Sequence, residues 1–402
     1  MSAAPVITIV IPWYGPDTAG GAETQARQLV QALHAAGVAV MVWSTTGRDA
    51  FHPFVDYYPA GEQVVDGVVV RRFAIDPPAG DPAPPAVAQR AGAVPAAWAA
   101  FPEHERRLLA SLPGSDALLA AVAGAAPQHR FVFMPYPFPT SFWGLALCRG
   151  RGALLPCLHD EPYAHYASYR AMFRHASVVL ANSPAERALA LRLYQLDAQR
   201  VVVAGEGIDL TPRGDGAAFR RDRGLAGPLL LYAGRRDAAK NVPLLIRLTR
   251  EYWARRGAPL TLMLAGRDPL DVPPALRPLL LDLGYLTVDE KHAAYAAADV
   301  FINLSLYESF SIVVMEAWLQ QTPVIVHRQC AVTREAVEAS GGGLHIETFA
   351  EYAAALDLLL ASPASRAALG RRGHDWVLQT CRWDGVAHRT AAAVLGAERA
   401  GS

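Results

Sequence analysis

Lysine is almost missing from this chain. Among 37 lysines and arginines, only Lys240 and Lys291 are lysine. An ammonium is a compact point charge and a guanidinium a planar fork, so a lysine kept where arginine is otherwise the rule suggests a job for the point charge. Lys240 closes the segment Gly234-Arg235-Arg236-Asp237-Ala238-Ala239-Lys240, directly behind the apolar run 229–233. Two cations, Arg235 and Lys240, at the end of a strand suit a diphosphate. Taken alone, the same segment reads as a solvated turn with two charges.

Other absences narrow the class. The four cysteines (Cys148, Cys157, Cys330 and Cys381) show no CxxC or metal-knuckle spacing, which predicts reduced, buried thiols in a reducing compartment. Acidic and basic residues balance at 37 each, so the chain lacks the basic excess of a bulk nucleic-acid binder, and no nucleic-acid partner is expected. A small basic patch at a membrane surface remains compatible with zero net charge. No apolar run approaches the roughly 20 residues that span a bilayer. Residues 1–5 carry no basic n-region, and 6–11 are too short for a signal h-region. The expectation is a cytoplasmic protein, peripheral at most on the inner face of a membrane. Neither half opens with GxGxxG and no GxSxG elbow occurs, which argues against a dinucleotide-dependent dehydrogenase and an α/β-hydrolase. No DxD motif or metal-ligand cluster stands out beside Asp160 and Glu161, so no metal is expected. There is no repeat of solenoid length.

What is present alternates. At 402 residues the chain is too long for one ordinary core. Residues 6–11 are continuously apolar, as in a parallel strand covered on both faces. A glycine-bearing loop leads to a helix over 22–36, ended by Gly37. A strand over 38–43 follows, then a hairpin over 63–75 turning at Asp66-Gly67. Residues 76–95 form a Pro- and Ala-rich excursion, and 103–124 carry a helical pattern. Further strands fall at 131–134, 153–158, 177–181 and 201–204. Residues 205–227 are polar and irregular and hold the domain boundary. The alternation restarts with a strand over 229–233, a helix over 242–256, and strands at 261–265, near 284–286, at 300–303 and at 324–326. Helices lie between them, and a helical tail begins at 350, its last helix at Trp383. Two such blocks predict an α/β chain of two Rossmann-like parallel-sheet domains facing a cleft, with ligand-binding loops after the strands.

Four segments on those loops carry chemistry. In the first loop, Gly20 and Gly21 precede a helix, where backbone N–H groups and the helix dipole favour an anion; the same glycines also serve a plain helix-starting turn. After the strand 229–233 come Arg235 and Lys240, and Asn241 is a favoured N-cap for the next helix. In Ser305-Leu306-Tyr307-Glu308-Ser309-Phe310-Ser311-Ile312-Val313-Val314-Met315-Glu316, the loop carries Glu308 and a helix begins near Ser311. Glu316 then falls in an apolar run, where a carboxylate needs a partner: either ribose hydroxyls or a neighbouring arginine. His159 follows the strand 153–158 and either binds a substrate hydroxyl or is a satisfied loop histidine.

Together these residues resemble the retaining glycosyltransferases of family 4, with the GT-B fold. The matching features are Gly20-Gly21-Ala22-Glu23, Gly205 to Asp209, Gly234-Arg235 with Lys240, Gly284-Tyr285, Asp299, and Glu308 with Glu316 spaced E-x7-E, in family order over nearly the whole chain. The resemblance implies a sugar transferred from a nucleoside-diphosphate donor, UDP- or GDP-linked, to a glycan or lipid-linked acceptor, by default in bacterial surface-polysaccharide, lipopolysaccharide or other glycoconjugate synthesis. It implies that Arg235 and Lys240 neutralise the diphosphate in place of a metal, with no cofactor. Glu316 would bind the ribose and Glu308 the donor sugar. Backbone amides of Phe310, Ser311 and Ile312 would hold sugar and phosphate oxygens, Gly20 and Gly21 would close over the phosphate, and the base would sit near Gly284 and Tyr285. The implied division is 1–205, the acceptor domain; 206–380, the donor domain; and 381–402, a helix packing back on the first. One departure stands out. Many family members carry a histidine after the strand that here ends at Met134, and this chain reads Met134-Pro135-Tyr136-Pro137. The acceptor side is therefore expected at Tyr136 and His159. The aromatics of 51–95 and 135–143 either stack on acceptor sugars or belong to the core. Rival readings are a nucleotide-sugar epimerase on the same fold and a noncatalytic scaffold.

Overall fold

The computed structural model describes residues 4–18, 20–78, 82–257, 260–267 and 274–396. They form two compact units: Met1–Gly207 joined by Trp383–Ser402, and Ile208–Arg382.

The first unit runs β1 (Val6–Ile11), α1 (Gly21–Ala35), β2 (Val40–Thr45), β3 (Gly61–Val65), β4 (Val68–Phe73), α2 (Ala86–Arg90), α3 (Glu103–Ser111), α4 (Asp116–Ala123), β5 (His129–Phe133), α5 (Pro139–Leu147), β6 (Gly152–Leu154), α6 (Ala167–His175), β7 (Val178–Ala181), α7 (Pro184–Tyr194) and β8 (Val201–Val203). The sheet order is β3-β4-β2-β1-β5-β6-β7-β8. Only β3 pairs antiparallel, in the hairpin whose turn residues Asp66 and Gly67 have φ of 49° and 81°. β1 explains its own apolar run. Ile7, Ile9 and Ile11 face one buried cluster with Leu29 of α1, while Val10 faces the other with Phe131 and Phe133. A strand buried on both sides cannot alternate.

The second unit runs α8 (Gly216–Asp222), β9 (Leu229–Ala233), α9 (Val242–Arg256), β10 (Thr261–Ala265), β11 (Leu280–Gly284), α10 (Val288–Ala297), β12 (Val300–Asn303), α11 (Ile312–Leu319), β13 (Val324–His327), α12 (Ala331–Ser340), β14 (Gly343–Ile346), α13 (Phe349–Ala361) and α14 (Pro363–Thr380). Its parallel sheet has the order β11-β10-β9-β12-β13-β14. Leu229, Leu231 and Ala233 face one core and Leu230 and Tyr232 the other. The last helix, α15 (Trp383–Gly396), packs on α1 of the first unit, and its Arg389 Nε donates to Ala204 O at 2.8 Å.

Four local expectations need correction. The helical stretch 103–124 is two helices, because Pro113-Gly114 interrupts it and Ser115 caps α4 by accepting the Leu118 N–H at 3.2 Å. The strand expected over 153–158 stops at Leu154: Pro156 has no N–H to continue a ladder and Cys157 has φ 52°. His159 therefore sits in a loop. The irregular stretch 205–227 contains α8, capped by Asp215, which accepts the Ala218 N–H at 2.8 Å. The helix expected between β10 and β11 appears as a 3-10 turn, Pro274–Leu279, and its earlier part lies outside the described residues.

In both sheets the chain starts centrally, builds to one side, then returns to the other. The reversal falls between β1 and β5 in the first unit and between β9 and β12 in the second. At such a point the two flanking loops diverge and leave a crevice at the carboxyl edge of the strands. α11, which follows β12, is held in place by α14. A methyl on Gly373 of α14 would lie 2.2 Å from the Trp318 ring of α11, so only glycine permits that approach. Gly373→Ala should destabilise the protein by roughly 1–3 kcal/mol through overpacking. Urea unfolding measures it, and an unchanged midpoint contradicts the packing described.

Candidate functional site

The second unit assembles its site from two adjacent strands. β9 and β12 pair in parallel, Leu230 opposite Val300 and Leu231 opposite Phe301, so the loops after them leave the sheet side by side. The first carries Lys240 and the second Glu308, 68 positions apart in sequence. Lys240 Nζ donates to Glu308 Oε1 at 2.9 Å and to Tyr307 O at 3.4 Å. Asn303, the last residue of β12, donates from Nδ2 to Glu308 Oε1 at 3.2 Å and to Ser311 Oγ at 3.0 Å. That brace holds Ser311 at φ 75°, ψ 69°, an unusual conformation for a residue with a side chain, immediately before α11. The carboxylate and its ammonium thus stand near the N-terminus of α11. Asn241 occupies the N-cap position of α9 but does not cap it as expected; its Nδ2 donates to Leu304 O at 3.1 Å, tying the two loops together.

The arginine doublet divides its labour. Arg235 is 60% exposed and its Nη1 lies 3.2 Å from Asp237 Oδ2. Arg236 is buried and braces three strand ends: Nη2 donates to Leu264 O of β10 at 2.8 Å and Nη1 to Asp282 Oδ2 of β11 at 2.8 Å. Hydrogen bonding by Arg236 holds the Asp282 carboxyl below its ordinary range. Sequence reading assigned Arg236 no role; the signal was its place beside Arg235, since neighbours leaving a strand point opposite ways. At the same edge Tyr285 follows Gly284, is 65% exposed, and carries Arg267 with Cζ 3.8 Å from its ring centroid. That is a flat, cationic platform.

Glu316 bonds no arginine. It lies on α11, where Lys291 Nζ of α10 donates to Oε1 at 2.6 Å and the Tyr295 hydroxyl to Oε2 at 3.1 Å. Both lysines of the chain therefore pair with the two carboxylates of the E-x7-E segment. The side chain of Phe310 packs into the core. Among the described residues no cluster of three or more His, Cys, Asp or Glu is arranged to hold a metal.

In the first unit, Gly20 ends the loop after β1 and Gly21 begins α1, beside the reversal point. Gly20 has φ 143°, and a methyl there would fall 1.9 Å from Glu23 Oε2; nothing lies within 4 Å of a methyl on Gly21. Glu23 is 7% exposed, folded against the start of its own helix. Tyr136, expected on the acceptor side, is enclosed. It is 1% exposed in an aromatic cluster with Tyr163 and Tyr169, and its hydroxyl donates to Glu161 Oε1 at 2.9 Å. His159 is partly exposed, with Nδ1 3.7 Å from the same oxygen. Burial alone would raise the Glu161 carboxyl, but hydrogen bonds from His159, Tyr163 and Tyr136 outweigh it and hold the group below its ordinary range. Of the loop aromatics, Phe51 and Tyr57 are exposed, whereas Phe142 and Trp143 belong to the core.

Burial pushes the Glu23 carboxyl from 4.5 up to about 7. Between those values the unfolded chain holds fewer protons at this residue than the folded chain. Stability therefore falls as pH rises through that window, and the loss is complete above it. Glu23→Gln should raise the melting temperature at pH 8 and lose that advantage at pH 4.5. An equal shift at both pH values contradicts the assignment.

Two family models match the chain: Glycosyltransferase Family 4 over residues 19–212 and Glycosyl transferases group 1 over residues 218–376. A D-inositol 3-phosphate glycosyltransferase of Kineococcus radiotolerans is 32% identical over 241 residues, covering 53% of this chain and 55% of that protein. The chain spans about half the length of the curated relatives it matches. Solved structures share its fold. Sucrose-phosphate synthase from Thermosynechococcus elongatus superposes with a TM-score of 0.71 at 20% identity, covering 99% of this chain and 100% of that one. HepE of Anabaena, in complex with UDP and glucose, superposes with a TM-score of 0.67 at 17% identity, covering 97% and 99%. With one model on each unit and these neighbours across its length, the chain belongs to the family 4 glycosyltransferases and has the GT-B fold.

Proposed function

We propose that this protein transfers a hexosyl group from a UDP- or GDP-sugar to a hydroxyl of a glycan, glycolipid or other acceptor, with retention and without a metal ion. The observation that carries the reading is the meeting of Lys240 and Glu308 at the β9/β12 reversal, with Glu316 on α11, the helix that follows the Glu308 loop. The setting is bacterial surface-polysaccharide, lipopolysaccharide or other glycoconjugate synthesis. The protein works in the cytoplasm, peripheral at most on the inner face of a membrane. No helix among the described residues is long and apolar enough to cross a membrane.

The chemistry follows from charge. As the bond between the anomeric carbon and the diphosphate oxygen breaks, negative charge develops on the leaving group. Lys240 and Arg235 meet it, and the α11 amides add the positive end of a helix dipole. Lys240 exchanges the Glu308 carboxylate for phosphate oxygen, which frees Glu308 to accept from a sugar hydroxyl. Glu316 takes the ribose hydroxyls, and Tyr285 with Arg267 offers a face to the base. The acceptor oxygen attacks from the side the leaving group vacates, and its proton passes to the departing phosphate oxygen. His159 and its Glu161 partner stand on the acceptor side.

A thermal-shift screen of nucleoside diphosphates and their sugars identifies the donor, since a ligand of the folded state raises apparent stability. Lys240→Ala and Glu308→Ala should each lower kcat by about 100-fold or more with that donor, in line with loss of a preorganised charge at a transition state. EDTA should leave turnover unchanged. Intact turnover in both variants contradicts the site; turnover abolished by EDTA contradicts metal independence. An epimerised donor formed without acceptor contradicts the reaction.

A further inference from the structure

Glu316 is fixed in a manner that the transferase reading does not itself require. It emerges from the apolar helix sequence Ile312-Val313-Val314-Met315-Glu316-Ala317-Trp318-Leu319, and its side chain is 12% exposed. A carboxylate so placed is costly unless hydrogen-bonded. α10 supplies both partners from one face: Lys291 and Tyr295, one helical turn apart. The ammonium takes Oε1 and the phenol takes Oε2, so each oxygen receives one hydrogen bond and keeps a second acceptor site. Two donors on two different oxygens fix the plane of the carboxylate, which one donor cannot do. Tyr295 remains a donor throughout the working range of pH, because burial and the neighbouring Glu316 carboxylate push its hydroxyl well above the ordinary tyrosine value.

A carboxylate with both oxygens half-occupied and its plane fixed matches a vicinal diol, which presents two hydroxyl donors at a set separation. We propose that Lys291 and Tyr295 are positioning residues that orient Glu316 for the 2′- and 3′-hydroxyls of the donor ribose, and that Lys291 thereby sets the preference of this protein for ribonucleotides over deoxyribonucleotides. This rests on the assignment of Glu316 to ribose. The rest of the chain supports the specialisation: lysine survives at two positions only, and each is bonded to one carboxylate of the E-x7-E pair. Were the contact only a tie between α10 and α11, it would hold the fold and leave ligand preference alone.

The test is calorimetric binding of UDP and 2′-deoxy-UDP, with GDP and 2′-deoxy-GDP in parallel, to the full chain and to Lys291→Met, Lys291→Arg, Tyr295→Phe and Glu316→Gln. Melting temperatures accompany each. The native protein should prefer its ribonucleotide by about tenfold to a hundredfold, the size of a hydrogen bond to a charged group. Lys291→Met should bring that ratio to within about threefold of unity, while affinity for the deoxy form barely moves. Lys291→Arg should restore part of the preference. Tyr295→Phe, which keeps the ring and its packing, should reduce the ratio by itself; it decides the matter if Lys291→Met fails to fold. A ratio lost in Glu316→Gln but kept in both Lys291→Met and Tyr295→Phe overturns the proposal and leaves the ribose assignment standing. A ratio near unity in the native protein, unchanged in Glu316→Gln, overturns both.

Discussion

The ion pair between Lys240 and Glu308 is the constraint on which the site depends. It exists because β9 and β12 are neighbours in space and far apart in sequence. Parallel pairing sends their following loops off the same sheet edge, and the change of winding direction leaves those loops with no strand between them. The features around the pair serve to hold it: Asn303 bridges Glu308 to Ser311, Asn241 ties the first loop to Leu304, and buried Arg236 locks the ends of β9, β10 and β11. Under the proposed function, a donor diphosphate takes the ammonium from Glu308 beside the N-terminus of α11, where its developing charge is stabilised.

Burial gives the second carboxylate its character. Glu316 is nearly as buried as its apolar neighbours in α11, yet both of its oxygens are hydrogen-bonded. The lysines explain each other in this light. An arginine fork would take both oxygens of a carboxylate, whereas an ammonium donates as a point charge to one. A chain that otherwise uses arginine keeps lysine at the two places that pair with the carboxylates of the E-x7-E segment.

Much of this was legible in the sequence. β9, α9, β10 and β12 fall where apolar runs and glycine punctuation put them, because a strand covered on both faces is apolar at every position. The E-x7-E spacing placed Glu308 in a loop and Glu316 in a helix. What could not be read were partners set by tertiary contact. Nothing local joins Lys291 to Glu316 or Lys240 to Glu308. The role of Arg236 depends on three strand ends that only the folded sheet brings together. The misread stretches share a local cause. Pro113-Gly114 broke a helical pattern, Pro156 shortened a strand, and Asp215 capped a helix inside a segment that looked irregular. Tyr136 was expected on the acceptor side because it stands where many family members carry a histidine; its burial was not legible, since its ring packs with Tyr163 and Tyr169 and its hydroxyl meets Glu161 only in the folded unit.

The first unit repeats the same plan with different chemistry. Its reversal lies between β1 and β5, and the loop after β1 ends in Gly20, where a side chain would strike Glu23. Buried carboxylates there carry strongly shifted proton affinities, Glu23 near 7 and Glu186 near 8, with burial the leading cause in each. Glu186 uses its carboxylate to hold the backbone N–H groups of Leu158 and Asn182, which fixes the loop leading to His159. The charge logic of the second unit nevertheless decides the account. A crystal structure with the bound nucleoside diphosphate tests it most directly. The account predicts a phosphate oxygen within about 3 Å of Lys240 Nζ, with the ammonium moved off Glu308. A diphosphate bound elsewhere, with Lys240 still paired to Glu308, would contradict it.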